Sequence, residues 1–155
     1  MNATLPLFAT QQIKQFHFEG NLQHQQRAVD SVLAVLENLT FDKPNQQMTL
    51  VSNPIAPKDK HLVLSDYSKS IEAVQKHNQI VGHSVRPESN VLDISMETGT
   101  GKTYTYTKMM FELNDRLNIF KFVVIVPTLP IKAGTVNFLK SQASQEHFAT
   151  NYKSR

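Results

Sequence analysis

Gly99 and Gly101 flank a single threonine and run straight into Lys102-Thr103, within Ser95-Met96-Glu97-Thr98-Gly99-Thr100-Gly101-Lys102-Thr103. A short apolar run, Val91-Leu92-Asp93-Ile94, precedes this stretch, and a helix-like run from Tyr104 to Leu113 follows it. Strand, glycine-bearing turn, Gly-Lys-Thr and helix, in that order, is the layout of a phosphate-binding loop. Without a β-carbon at 99 and 101, the backbone turns tightly and aims its N–H groups inward. Together with the unpaired N–H groups that open the next helix, they form a concave anion site. In that arrangement Gly99 and Gly101 shape the backbone around the phosphates. Lys102, the candidate catalytic residue, reaches the β- and γ-phosphates, and the Thr103 hydroxyl holds Mg²⁺. The alternative is a strand-to-helix turn that carries Gly-Lys-Thr and binds nothing. The strand before the loop and the helix after it favour the phosphate reading.

A chain of 155 residues is long enough for one domain with its own core. With 40% hydrophobic and 19% charged residues it reads as globular rather than disordered. The net charge of +3 suits a polyanionic partner only weakly, because the Lys and Arg residues are scattered rather than massed. The absence of Cys excludes a disulfide framework, a Cys-based zinc site and a thiol nucleophile. The His residues are dispersed, with no His-Glu-x-x-His spacing, which argues against zinc. Met1 to Gly20 lacks a basic start followed by a long apolar run, and no apolar run is long enough to span a bilayer. No secretory signal and no membrane partner are expected, and the cytoplasm is the expected compartment.

Residues 1–20 read as an arm, with Ile13 to Phe18 as a short edge strand ended by Gly20-Asn21. Asn21 is a plausible N-cap for the next element. From Gln23 to Leu39 the positions Ala28, Val29, Val32, Leu33, Leu36 and Leu39 recur at three- and four-residue steps, which predicts a helix with one apolar face. Residues 41–90, rich in Pro, Asn, Asp and Lys, read as an insertion on the rim of a sheet. Within it, Met48-Thr49-Leu50-Val51 and Leu62-Val63-Leu64 are expected to pair as strands about the Pro54–Lys60 turn, and Ser68 to Ile80 to form a helix. Val91 to Ser95 is the expected first central strand, and the helix after the loop runs from Thr103 to about Asn114. Phe120-Lys121-Phe122-Val123-Val124-Ile125-Val126 is nearly continuously β-branched or aromatic, the pattern of a strand buried on both faces of a parallel sheet. Pro127 stops it, and a second helix is predicted from Ile131 to Ser141. This order is a βαβα unit, so the expected fold class is α/β, a parallel sheet with flanking helices. A doubly wound sheet ordinarily has more strands than these, so the unit is expected to be incomplete toward the C-terminus.

Two further stretches bear on the loop. In His24-Gln25-Gln26-Arg27-Ala28-Val29, a Gln side chain offers a donor and an acceptor that match adenine N6 and N7. A solvated glutamine at a helix start is the alternative. Val126-Pro127-Thr128-Leu129-Pro130-Ile131-Lys132-Ala133-Gly134 falls at the end of the second expected strand, on the sheet edge where α/β folds bind ligands. There the Thr128 hydroxyl, the free N–H groups of the helix start and the Lys132 charge could meet nucleic-acid phosphates. On spacing alone, a proline-stiffened loop that touches nothing is the simpler account. Of Tyr104 and Tyr106, one could stack on a base, with packing the preferred role. Asp93 and the Lys58-Asp59-Lys60-His61 run read as a strand-edge residue and a solvated turn.

Taken together, Met96 to Tyr104 and Val126 to Gly134 resemble the start of the Res subunit of type III restriction-modification enzymes, and more broadly the UvrB-like motors of helicase superfamily two. The likeness is strongest from Val91 to about Lys140, with His24 to Val29 similar to an adenine-reading Gln motif. Met96 stands where the general helicase loop has Ala or Gly, and the Met-Glu-Thr-Gly-Thr-Gly-Lys-Thr form points to the Res group. The resemblance implies the N-terminal part, residues 21–155, of a RecA-like P-loop motor domain that binds ATP and Mg²⁺ and translocates along double-stranded DNA. It further implies DNA cleavage by a distant nuclease domain and a Mod methyltransferase subunit as partner, in a bacterial cytoplasm. It assigns Gln25 to adenine, Thr98 to Thr103 to phosphate and Mg²⁺, and Pro127, Thr128, Lys132 and Gly134 to the DNA backbone. The chain departs from the family pattern in having no Asp-Glu box, second motor domain, arginine finger or nuclease carboxylates. It is therefore expected to bind nucleotide weakly and to hydrolyse little or none on its own. Another superfamily-two helicase, or a non-catalytic nucleotide- or partner-binding module, are the alternatives.

Overall fold

Small aliphatic residues at helical spacing generate the first helix, and the remaining elements are arranged around it. A computed structural model of the chain describes residues 18–19, 22–39, 52–54, 60–81 and 91–152, with backbone alone for 60–65. The helices among the described residues are α1 (Gln23–Glu37), α2 (Lys60–His77), α3 (Lys102–Leu117), α4 (Leu129–Lys140) and α5 (Gln142–Asn151). The predicted edge strand before Phe18, the Asn21 cap and the Met48–Val51 strand lie outside the described residues.

α1 buries Ala28, Val29, Val32, Leu33 and Val35. Val29 and Leu33 meet Leu113 of α3, and Leu36, Met109, Leu117 and Ile119 close around them. Burying each large aliphatic side chain of this cluster contributes about 1.5–3 kcal/mol. Polar ties flank the apolar seam. The buried Lys108 ammonium donates to Gln26 Oε1 at 2.6 Å, and Arg116 donates to Glu37 at 3.1 Å. Gln25 meets the loop that opens α3, Gln26 meets its middle at Lys108 and Glu37 meets its last turn at Arg116, so the two helices run in the same direction.

α3 stops at Asn118, in the left-handed region at φ 55°. Its N–H bonds Asn114 O at 3.0 Å and the Ile119 N–H bonds Leu113 O at 3.2 Å, a paired closure that satisfies the last carbonyls. The same turn delivers Ile119 to the core. α2 lies on the other side of α1, where Asn78 donates to Ser31 Oγ at 3.1 Å and accepts from Arg27 at 3.5 Å. It starts well before the predicted Ser68, and Leu62-Val63-Leu64, expected as a strand, is helical.

α5, absent from the sequence expectations, is held by aromatic contacts. Phe148 stacks on Phe111 at 4.9 Å between ring centres, and Phe111 on Tyr152 at 5.1 Å. Phe18 lies 5.8 Å from Tyr104 and meets Phe138 edge-on at 5.6 Å. Within this cluster the Tyr104 hydroxyl and His147 Nε2 are 2.9 Å apart. Burial, aided by the Lys108 charge, lowers the His147 pKa, and burial raises that of Tyr104. The His147 tautomer decides which of the two groups donates in this bond. The Tyr152 hydroxyl is also raised, by burial and by its bond to Glu112 at 2.7 Å.

The expected α/β class is overturned among the described residues: they hold helices and irregular connectors, with no strand and no parallel sheet. Val91 to Ser95 and Phe120 to Val126 have no regular secondary structure, and neither belongs to a ladder. A β-branched run encodes a preference for burial, whereas a strand also needs a second backbone about 4.8 Å away. Here the flanks are open: Val123 and Ile125 are each 89% exposed and Val91 is 62% exposed. Asn53 supplies a side-chain substitute for a neighbouring strand. Its Oδ1 accepts from the Phe120 and Lys121 N–H groups and its Nδ2 donates to Lys121 O, all at 2.9 Å.

These burial differences predict opposite outcomes for two truncations. Leu33→Ala should cost about 2–5 kcal/mol in urea unfolding followed by circular dichroism. Ile125→Ala should change stability by less than about 0.5 kcal/mol. A large loss at Ile125 would contradict its exposed placement.

Candidate functional site

The glycine loop is where the described structure departs furthest from ordinary helix entry. Gly99 and Gly101 have φ of 82° and 83°, a region that costs L-residues about 1–2 kcal/mol. Gly101 is the N-cap of α3 but has no side chain to cap with. Thr105 provides the first closure, its N–H and hydroxyl both donating to Gly101 O at 2.9 and 3.1 Å. Among the described residues, the N–H groups from Thr98 to Tyr104 reach no backbone carbonyl. They form the anion-attracting end of a 16-residue helix.

Lys102, exposed, folds back so that Nζ donates to Glu97 O at 2.7 Å. The Thr100 hydroxyl donates to the same carbonyl at 2.7 Å. The loop is thus closed on itself through Glu97 O, with an ammonium at its mouth. Thr103 is half-buried, and among the described residues its hydroxyl has no partner, while its carbonyl accepts from Thr107 at 2.7 Å. This set fits a phosphate with its metal: a cation, free N–H donors and a free hydroxyl.

Gln25 is only 5% exposed, and its Nε2 donates to Thr100 O at 3.0 Å. The reverse amide orientation would set oxygen against oxygen, so the carbonyl assigns the flip. Gln25 Oε1 is buried and has no partner among the described residues. An unmade bond of this kind costs about 1–3 kcal/mol. His24 Nε2 lies 3.0 Å from the same Thr100 carbonyl, a contact not anticipated from the sequence. A β-carbon at Gly101 would collide with Gln25 Nε2, whereas one at Gly99 would meet nothing within 4 Å. Two glycines that look equivalent in the sequence therefore have different reasons to be glycine.

Pro127, Thr128, Lys132 and Gly134 are all exposed and lie together at the start of α4. Thr128 caps the helix, with the Ile131 N–H directed at its hydroxyl at 3.5 Å and its carbonyl accepting from Lys132 N at 3.0 Å. A β-carbon at Gly134 would meet nothing, so packing does not explain that glycine. Among the described residues, no hydrogen bond ties these positions directly to the glycine loop. The nearest link runs from Tyr106 of α3, whose hydroxyl donates to Thr135 Oγ1 at 3.0 Å. Tyr104 is buried in the aromatic cluster, in the packing role preferred for it. The open groove of about 600 Å³ between Phe111, Leu139, Phe148 and Tyr152 includes none of the loop residues.

A glycine loop at a helix start, backed by a buried glutamine, accords with what sequence comparison defines. The chain belongs to the family of the type III restriction enzyme res subunit, whose profile matches residues 21–155. It is 50% identical over 143 residues to the type III restriction-modification enzyme EcoPI Res subunit of Escherichia phage P1, covering 90% of this chain and 14% of that protein. It is 48% identical to the EcoP15I Res subunit of Escherichia coli, again over 90% of this chain and 14% of the relative. The StyLTI Res subunit of Salmonella typhimurium is 37% identical over 94 residues. The chain thus spans about one-seventh of the length of the first two relatives.

The Gln25 collision makes a prediction specific to one glycine. Gly101→Ala should lower the melting temperature more than Gly99→Ala, because it adds a clash to the same φ strain. Placing Gly101→Ala in a Gln25→Ala background should narrow that difference, as read by differential scanning calorimetry. An equal loss at the two glycines would contradict the close approach of Gln25.

Proposed function

We propose that this chain is the nucleotide-binding segment of a DNA motor, taking ATP with Mg²⁺ at the glycine loop. The observation that carries the reading is the Lys102 ammonium at the mouth of a loop whose N–H groups have no backbone acceptor. Thr98, Gly99, Thr100 and Gly101 would present N–H groups to the phosphates. Lys102 would pair with phosphate charge as the catalytic cation, and Thr103 would give its hydroxyl to the metal. Bound Mg²⁺ supplies charge neutralisation at the phosphate oxygens. On this reading Gln25 would turn its amide toward the base, where the exocyclic N6 amine of adenine is a donor for Oε1. Guanine presents an oxygen at the equivalent position, so the same atom would favour adenine.

On the same reading, the α4 start meets the backbone of double-stranded DNA. Pro127 keeps the loop stiff, Thr128 offers its hydroxyl and the N–H groups it caps, Lys132 adds charge, and Gly134 allows close approach. In the whole protein this segment would serve ATP-dependent translocation coupled to DNA cleavage, alongside a Mod methyltransferase subunit. Family membership and the names of the relatives support that wider role. Among the described residues, no helix is long and apolar enough to cross a membrane.

Two measurements test these assignments. Lys102→Ala should abolish binding of a fluorescent ATP analogue while the far-ultraviolet circular dichroism stays unchanged. Retained affinity would remove the phosphate role. Lys132→Ala should weaken duplex binding and reduce the salt slope by about one ion, as expected for one lost phosphate contact. An unaltered slope would leave Lys132 as a solvated surface residue.

A further inference from the structure

Two consecutive residues of α1 meet on one atom. His24 Nε2 and Gln25 Nε2 each lie 3.0 Å from the Thr100 carbonyl oxygen. Neighbours along a helix point about 100° apart and do not ordinarily share a target. A carbonyl oxygen only accepts and has two lone pairs, so both nitrogens donate, and His24 carries a proton on Nε2. The two donors differ in their surroundings. Gln25 is 5% exposed and its Oε1 has no partner among the described residues, whereas His24 is exposed. The atom they share matters because the Thr100 C=O and the Gly101 N–H belong to one planar peptide unit. Fixing the oxygen against α1 makes the N–H point the opposite way. Gly101, at φ 83°, has no β-carbon to resist a flip of that unit, so the donors on Thr100 O are what hold it.

We infer that His24 is a positioning residue that keeps hold of the Thr100 carbonyl when Gln25 turns its amide to adenine, so that reading the base does not release the Gly101 N–H from the phosphates. This rests on the nucleotide reading above. Gln25 Oε1 is buried where it stands, so Gln25 must leave this position to present that oxygen to a base. Thr100 O then loses one of its two donors. His24 reaches the same oxygen from the exposed side of α1 and is not needed by the base, so it stays. Lys102 and the Thr100 hydroxyl cannot take over this task, because both are engaged on Glu97 O.

The test is isothermal titration calorimetry of the 155-residue chain with two ligands, ATP and inorganic tripolyphosphate, each with Mg²⁺. Tripolyphosphate has no base, so Gln25 stays on Thr100 O and His24 is redundant. His24→Ala should therefore weaken ATP binding about fivefold, the worth of one neutral hydrogen bond, and tripolyphosphate binding by about twofold or less. His24→Gln, which restores a donor, should recover the affinity for ATP, and His24→Leu, which does not, should match His24→Ala. In a Gln25→Ala background His24 is the remaining donor, so there His24→Ala should weaken tripolyphosphate as well, again about fivefold. Circular dichroism checks that each variant is folded, and His24→Leu decides the matter if His24→Ala is not. Equal weakening of the two ligands by His24→Ala alone would overturn the inference, as would an unchanged affinity for ATP. A His24→Gln chain as weak as His24→Ala would overturn it too. A wild-type chain that binds neither ligand would instead bring down the nucleotide reading itself. One that binds both equally would bring down the adenine role of Gln25, and the part given to His24 falls with either.

Discussion

The parallel seam between α1 and α3 is the constraint on which the described structure depends. Val29 and Leu33 sit against Leu113, and the closing turn after Asn118 brings Ile119 to the same cluster. Apolar contact alone would allow the helices to slide. The register is held by polar side chains at different heights: Gln25 on Thr100, Gln26 on Lys108 and Glu37 on Arg116. The last of these is an exposed ion pair, worth little in stability. The first two are more consequential, because Gln25 and Lys108 are buried and sliding would leave a donor unpaired.

That seam also explains why a loop with two left-handed glycines keeps a single shape. At Gly99 and Gly101 the backbone occupies a region that other residues avoid, and a loop so built would sample alternatives unless held. It is held from the α1 side by two side chains on one carbonyl, Gln25 and His24 on Thr100 O. It is held from within by Thr100 and Lys102 on Glu97 O. Packing of the helix pair and geometry of the loop are thus one problem. Gln25, one turn before the apolar face of α1, is the residue whose amide excludes a β-carbon from Gly101.

Much of this was legible in the sequence, and what was not has identifiable causes. The three- and four-residue spacing from Ala28 to Leu39 gave α1 to within two residues of its end, and Gly-Lys-Thr after an apolar run gave the loop and the start of α3. Spacing did not reveal that Gln25 faces the loop, because side-chain direction depends on which helix lies opposite. The sheet was misjudged for a related reason. Val123 to Val126 states a preference for burial, but a ladder depends on partners that local composition does not supply, and the Asn53 side chain bonds the start of the run, at Phe120 and Lys121. α2 was cut short because the prolines before it suggested a rim of turns, although Lys60 to His77 contains no proline. α5 was missed because it buries only Ser144 and Phe148, so no apolar periodicity marks it. Its anchors are aromatic stacks onto α3, which only tertiary structure assembles.

The state of Lys102 follows from the same economy of partners. Its ammonium is held by a neutral carbonyl, Glu97 O, in an exposed position. A phosphate oxygen offers it a charge-assisted bond, about twice as strong as one between neutral groups. Moving the lysine from one to the other need not strand the carbonyl, since the Thr100 hydroxyl donates to Glu97 O independently. Thr100 itself is held at its own carbonyl by Gln25 and His24, so it stays in place when Lys102 departs. On the nucleotide reading, the loop therefore has a cation free to leave and a scaffold that does not rely on it. A loop whose shape depended on the lysine would instead have to rebuild itself each time a phosphate arrived.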